Sequence, residues 1–188
     1  GIKTAETLFS ARKKCPVLRV YKPNYKMYQE KSNSLFEYLK SYTPDIEIAS
    51  IDECYMDYGK VANLYGDAVQ FAHNLKDEIK SKFSFTVNIG VANNKLCAKM
   101  ASDFSKPNRV HTLFDNEIEN KMYPLPIGDL FGIGKKTSEK LEKLNIKTIG
   151  DLANYDVVLL SKYFKNQAIN MINSARGIDD SVVVSEIV

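Results

Sequence analysis

Along residues 1–113 the spacing of hydrophobic and polar positions changes repeatedly between a helical and a strand period. "TAETLFSARKKC" sets Ala5, Leu8 and Phe9 at helical spacing, ends in basic residues and stops at Pro16. After a "YKPNY" turn, "YKMYQEKSNSLFEYLKSY" places Met27 or Tyr28, then Leu35, Tyr38 and Leu39, on one helical face. "EIASI" and "CYMDY" alternate as short strands about Ile51 and Asp52, and "VANLYGDAVQFAHNLKDEIKSKF" reads as one long amphipathic helix. "SFTVNIGVA" is a β-branched alternating strand. "NNKLCAKMASDFSKPN" opens on a cap at Asn93 or Asn94 and runs as a helix towards Pro107, and "RVHTLF" is a further short strand.

Past Asp115 the pattern changes. Short helical stretches are separated by "YPLPIG", "FGIG" and "LNIKTIG", and the only later strand candidate is "SVVVSEIV" at the end. A boundary falls near residues 113–116. The predicted class is α+β: an antiparallel sheet packed by helices, then a small all-α part containing a helix-hairpin-helix.

Composition narrows the setting. No apolar run approaches the roughly 18 residues of a membrane span, and "GIKTAETLFSARKK" lacks the apolar core of a signal peptide. Cys15, Cys54 and Cys97 are odd in number and form no CxxC pair, which argues against a disulfide framework or zinc site and for a reducing, cytoplasmic environment. The net charge of +3 is uneven: residues 1–113 hold 17 Lys/Arg against 12 Asp/Glu, and residues 114–188 hold 9 against 11. A nucleic-acid contact in the second half must therefore use a local patch.

Three segments carry candidate chemistry. In "EIASIDECYMDYG", Asp52 and Glu53 stand together where two strands meet, a place where hard oxygen ligands suit Mg²⁺; an ordinary solvated turn is the plain alternative. In "GVANNKLCAKMASDFSKPN", Lys95, Lys99 and Ser102 fall on one helical face, and Lys106 stands just past the helix, before Pro107. Such a lysine can neutralise a polyphosphate, and a basic surface helix is the alternative. In "LFGIGKKTSEKLEKLNIKTIGDL", Gly132 and Gly134 permit unusual backbone and a close approach to phosphate, and residues 131–147 carry five lysines against two glutamates. With its helical flanks this reads as a helix-hairpin-helix that grips a DNA backbone without reading sequence.

In this order and spacing the segments resemble the Y-family DNA polymerases, especially their bacterial DNA polymerase IV (DinB) group. "ASIDECYMD" looks like the catalytic SIDE motif, and "GVANNKLCAKMASDFSKPN" like the family's G[IV]xxNKxxAKxASDxxKPN motif. "GIKTAETLFSARKKCP" is similar to a fingers segment, and "ARGIDDSVV" to the exit from the thumb. The resemblance implies a fingers remnant at 1–23, a catalytic palm at 24–113, a thumb at 114–180 and the start of a linker at 181–188. It implies that Asp52 and Glu53 hold catalytic Mg²⁺, two ions in the complete enzyme, that Lys106 contacts the nucleotide triphosphate, and that Gly132, Gly134, Lys135 and Lys136 contact the DNA backbone. Asp57 is read as structural.

The implied activity is error-prone, translesion DNA synthesis on primer–template DNA with dNTPs, in the cytoplasm near the nucleoid. A sliding clamp is the implied partner of a C-terminal tail. The chain begins without Met, and by the same comparison a third acidic ligand and a little-finger domain lie outside it. The expectation is a fragment inactive by itself; the alternative is a non-catalytic DNA-binding module or truncated relative. Asp45 and Glu47 are acidic too, but lie on the strand entering the hairpin and do not match the missing motif.

Overall fold

The computed structural model describes residues 1–185. Helix α1 (Leu8–Lys14) is capped by Thr7, whose side chain accepts from the Ser10 amide, and α2 (Tyr25–Lys40) is capped by Asn24. Strands β1 (Ile46–Ile48) and β2 (Cys54–Met56) follow, paired antiparallel with Ile46 opposite Met56 and Ile48 opposite Cys54. The single long helix expected next is divided into α3 (Ala62–Tyr65) and α4 (Ala68–Phe83). Gly66 takes φ +81° and Asp67 caps α4 through the Gln70 amide, so a chain break and a new start fall side by side.

Strand β3 (Ile89–Ala92), helix α5 (Lys95–Asp103) and strand β4 (Val110–Leu113) form a crossover unit. Here the antiparallel expectation needs correction: β3 and β4 run parallel, with Ile89 opposite Val110 and Ala92 opposite Leu113. The reason is α5 itself, the kind of connection that carries a chain back to pair in the same direction. Strand β3 is also shorter than "SFTVNIGVA", because its partner begins only at Val110. Before it, Asn88 turns its side chain to neighbouring backbone instead, donating to Ser102 O at the end of α5 and accepting from the Arg109 amide.

The second half is helical: α6 (Ile118–Lys121), α7 (Lys135–Glu142), α8 (Ile149–Ala153), α9 (Val157–Phe164) and α10 (Gln167–Ala175). Residues 181–185 are not strand, and the rest of "SVVVSEIV" lies outside the described residues.

Two apolar cores result. Leu35, Phe36 and Leu39 of α2 meet Leu75 and Ile79 of α4 over Ile46 of β1. The other core contains Leu96, Cys97, Met100 and Ala101 of α5 together with buried side chains of the whole second half, Leu113, Met122 and Leu141 among them. Burial therefore does not divide at residues 113–116; α5 belongs to the core of the helical half. Asn94 caps α5 through the Cys97 amide at 2.8 Å and donates to Gly177 O at 2.8 Å, while Asp179 accepts from the Leu96 amide at 3.0 Å. These bonds tie the end of the helical half to the start of α5.

Candidate functional site

Strands β1 and β2 are joined by the turn 49–53, which closes through amides of Ala49 and Ser50 donating to Glu53 O at 2.9 and 3.1 Å. Ser32 of α2 donates to Ile51 O and holds the turn down on that helix. Neighbouring side chains face opposite ways on a regular strand, a restriction that the turn removes. Asp52 and Glu53 are both exposed there. Asp52 Oδ1 accepts from Ser50 Oγ at 2.7 Å.

Helix α5 is amphipathic in a specific sense. Its apolar face enters the second core, and Lys95 and Lys99, one turn apart, point from the other side at the β1–β2 hairpin. Lys95 Nζ bonds both oxygens of Glu47, at 3.0 and 2.8 Å, and lies 5.5 Å from the Tyr55 ring centroid. Lys99 Nζ bonds Glu53 Oε1 and sits 3.3 Å from Asp103 Oδ2, while Asp103 Oδ1 is 2.7 Å from Lys106 Nζ. Glu53, Lys99, Asp103 and Lys106 thus form one chain of alternating charge.

The electrostatics follow from these contacts. Burial works against the Lys99 charge, but the bond to Glu53 and the nearness of Asp103 outweigh it and raise its pKa. Burial likewise opposes the Asp103 charge, and Lys106 and Lys99 more than offset it, holding that carboxyl below the usual range. Glu47 is held low chiefly by Lys95, and further by the Val184 amide, which donates to its Oε2 at 2.9 Å. The Cys54 and Cys97 thiols are both pushed up to about 11 by burial, which disfavours their thiolate forms.

The two exposed carboxylates fit a hard cation such as Mg²⁺ in donor type. Among the described residues no group of three or more His, Cys, Asp or Glu is placed to hold a metal. Lys106, 60% exposed, projects past the end of α5 as its place in the sequence predicts. The Ser102 hydroxyl, one further turn along α5, donates back to Lys99 O at 2.8 Å. Sequence reasoning missed the roles of Glu47 and Asp103. The signal available for Asp103 was its i, i+4 spacing from Lys99.

The hairpin lies at the start of α7. Gly132 has φ +87°, a conformation that only glycine adopts freely. Gly134 corrects the expectation: at φ −79°, ψ 166° it is in ordinary extended backbone and acts as a helix cap without a side chain. The first amides of α7 have no partner within their own helix and, with a glycine cap, gain none from a capping side chain. Lys135 is 90% exposed beside them, 4.0 Å from Glu139. Lys136 flanks a shallow groove with Lys140, Tyr163 and Lys165, in which Lys140 donates to Tyr163 O at 2.7 Å and stands 4.5 Å from the Phe164 ring centroid.

An acidic strand hairpin held against a basic crossover helix, followed by a helix-hairpin-helix, defines a class, and the comparisons agree. Residues 1–103 match the impB/mucB/samB family and residues 115–146 match the IMS family HHH motif, so the chain belongs to the impB/mucB/samB family. Within it, the chain is DinB-like. It is 47% identical over 182 residues to DNA polymerase IV of Clostridium acetobutylicum, covering 96% of this chain and 46% of that protein. It is 36% identical over 186 residues to DNA polymerase IV 1 of Bacillus subtilis, covering 99% and 45%. DinB from Sulfolobus solfataricus superposes with a TM-score of 0.87 at 29% identity, over 98% of this chain and 55% of that one. A structure described as an insertion ternary complex of Dbh DNA polymerase gives 0.85 at 29% identity, over 97% and 54%. The chain spans about half the length of the curated relatives it matches.

Proposed function

We propose that this chain is the catalytic and DNA-gripping part of a template-directed, translesion DNA polymerase. The observation that carries the reading is the acidic turn of β1–β2 held against the lysines of α5 in a chain whose relatives are named DNA polymerase IV. Residues 1–23 act as a fingers segment, 24–113 as the palm and 114–180 as the thumb, with 181–188 leading out of it.

Asp52 and Glu53 hold Mg²⁺ in this reading. When bound, the metal supplies acidification of a primer hydroxyl and neutralisation of charge on the transferred phosphoryl group. The chain's own residues place and balance that charge. The β1–β2 turn fixes both carboxylates, and Lys106 at the open end of the ion chain meets the triphosphate of a dNTP. The backbone at Gly132 and Gly134, with Lys135 and Lys136, takes phosphates of primer–template DNA, which positions the duplex without reading its bases. No helix among the described residues is long and apolar enough to cross a membrane. Placement in the cytoplasm at the nucleoid, the translesion role and a sliding-clamp partner rest on family membership alone.

The test is a chimaera in which this chain replaces the matching segment of Clostridium acetobutylicum DNA polymerase IV. It should extend a primer with dNTPs and Mg²⁺, and Asp52→Ala or Glu53→Ala should abolish extension while the protein stays folded and DNA-bound. Normal extension by the Glu53→Ala chimaera would remove these carboxylates from the chemistry. A folded chimaera that binds DNA but never extends would favour a DNA-binding module.

A further inference from the structure

We propose that Lys99 competes with a divalent cation for Glu53, so that the hairpin's own affinity for metal is set low by a resident ammonium group. The inference rests on the reading of Glu53 as a metal ligand and adds a regulator of that ligand. Lys99 is the cation that α5 delivers to Glu53: its Nζ bonds Oε1 directly, across 46 residues of sequence. The two partners are unequally exposed. The Lys99 side chain is 14% exposed and the Glu53 side chain 45%, so the ammonium lies on the inner side and the carboxylate faces solvent, where an ion would arrive.

Lys99 also has a second seat. Asp103 Oδ2 lies 3.3 Å from the same ammonium and is fixed from its other oxygen by Lys106. An ion taking Glu53 would leave Lys99 paired with Asp103, with no buried charge stranded. Lys95 cannot substitute, since both oxygens of Glu47 already hold it. Even if an ion uses only the free oxygen of Glu53, a unit positive charge within bonding distance of the same carboxylate repels it. A metal that arrives carrying phosphate meets less opposition, because its phosphate oxygens answer the ammonium groups of Lys99 and Lys106.

The experiment is Mn²⁺ binding to the chain at fixed ionic strength, read from the electron-paramagnetic signal of the free ion. Lys99→Met keeps the aliphatic stem and removes the charge; Lys99→Gln is a second neutral variant, and circular dichroism selects those that fold. The neutral variants should bind Mn²⁺ about tenfold more tightly than the parent, and Lys99→Arg should match the parent. The gain should vanish when Glu53→Gln is combined with Lys99→Met. Neutral variants that bind no more tightly than the parent, or that gain equally in the Glu53→Gln background, would overturn the proposal. If Glu53→Gln alone leaves Mn²⁺ binding unchanged, the metal reading of Glu53 itself fails, and that result is separate from the lysine arms.

Discussion

Gly90 in β3 lies against the carbonyl oxygen of Ala98 in α5 so closely that an added Cβ would stand 1.9 Å from it and 2.7 Å from the Ser102 amide nitrogen. Both obstacles are backbone, so no rotamer change can relieve them. The absence of a side chain at this position is what lets α5 sit on the strand pair and carry Lys95 and Lys99 to the β1–β2 hairpin. Gly90→Ala should therefore force helix and strand apart. The expected loss is about 3 kcal/mol or more in urea denaturation. A variant of parental stability would mean that α5 can shift without consequence.

The hairpin before α7 bears on the response to salt. Each phosphate neutralised by a cation contributes about −0.9 to the slope of log K against log salt for duplex DNA. The chain should bind duplexes of different sequence alike, and Lys135→Ala with Lys136→Ala should make that slope shallower. Gly132→Ala, placed at φ +87°, should lower stability by about 1–2 kcal/mol. An unchanged slope in the double lysine variant would remove the hairpin from the DNA contact.

What could be read from the sequence divides along the range of the forces involved. Local rules located α2, the β1–β2 hairpin, α5 with a cap at one of its two leading asparagines, and α1 apart from Ala5, which stands before its start at φ +60°, because caps and periodicity act within a few residues. The break at Gly66 and Asp67 was written in the same local code, inside an amphipathic pattern that reads straight through it. Direction of pairing was not local. An alternating strand has the same pattern whether its neighbour runs parallel or antiparallel, and only the course of α5 decides between them. The site was half legible for the same reason. Asp52 and Glu53 stood out as an acidic pair and Lys95 and Lys99 as one helical face, but the Lys99–Glu53 bond exists only once β3, α5 and the hairpin are packed. Glu47, set aside as a mismatch, holds Lys95 and the Val184 amide at once, a contact 137 residues long in sequence that no periodicity encodes.

A pH prediction comes from the start of α8. Thr148 accepts from the Asp151 amide at 3.0 Å, and Asp151 Oδ2 accepts from the amides of Thr148 at 2.8 Å and Lys147 at 2.9 Å. The Thr148 amide first, and then that of Lys147, hold this carboxyl below the usual range. A carboxyl whose pKa is lower folded than unfolded adds stability above its unfolded value, near 4, and that stability is lost as pH falls through the folded value. Because Asp151 is exposed, Asp151→Ala should cost only about 0.5–1 kcal/mol at neutral pH. The difference from the parent should shrink below about pH 4. Urea melts across that range check it; a constant difference would mean that the charge of Asp151 contributes nothing.

The carboxylates of the turn should serve binding and chemistry, not the fold. Asp52 is exposed and bonds only locally to Ser50, and Glu53 meets Lys99 at a partly solvated surface. Removing the Glu53 charge leaves Lys99 beside Asp103, so no buried cation is orphaned. Asp52→Asn and Glu53→Gln should each change stability by less than about 1 kcal/mol, in either direction. Leu113→Ala, at a side chain with 0% exposure in the second core, should cost about 2–5 kcal/mol and marks the scale of a structural residue. The same two carboxylate substitutions should weaken Mn²⁺ binding by the chain and silence the chimaeric polymerase. Stability losses like that of Leu113→Ala, with metal binding intact, would make the acidic turn a structural element and end its assignment to catalysis.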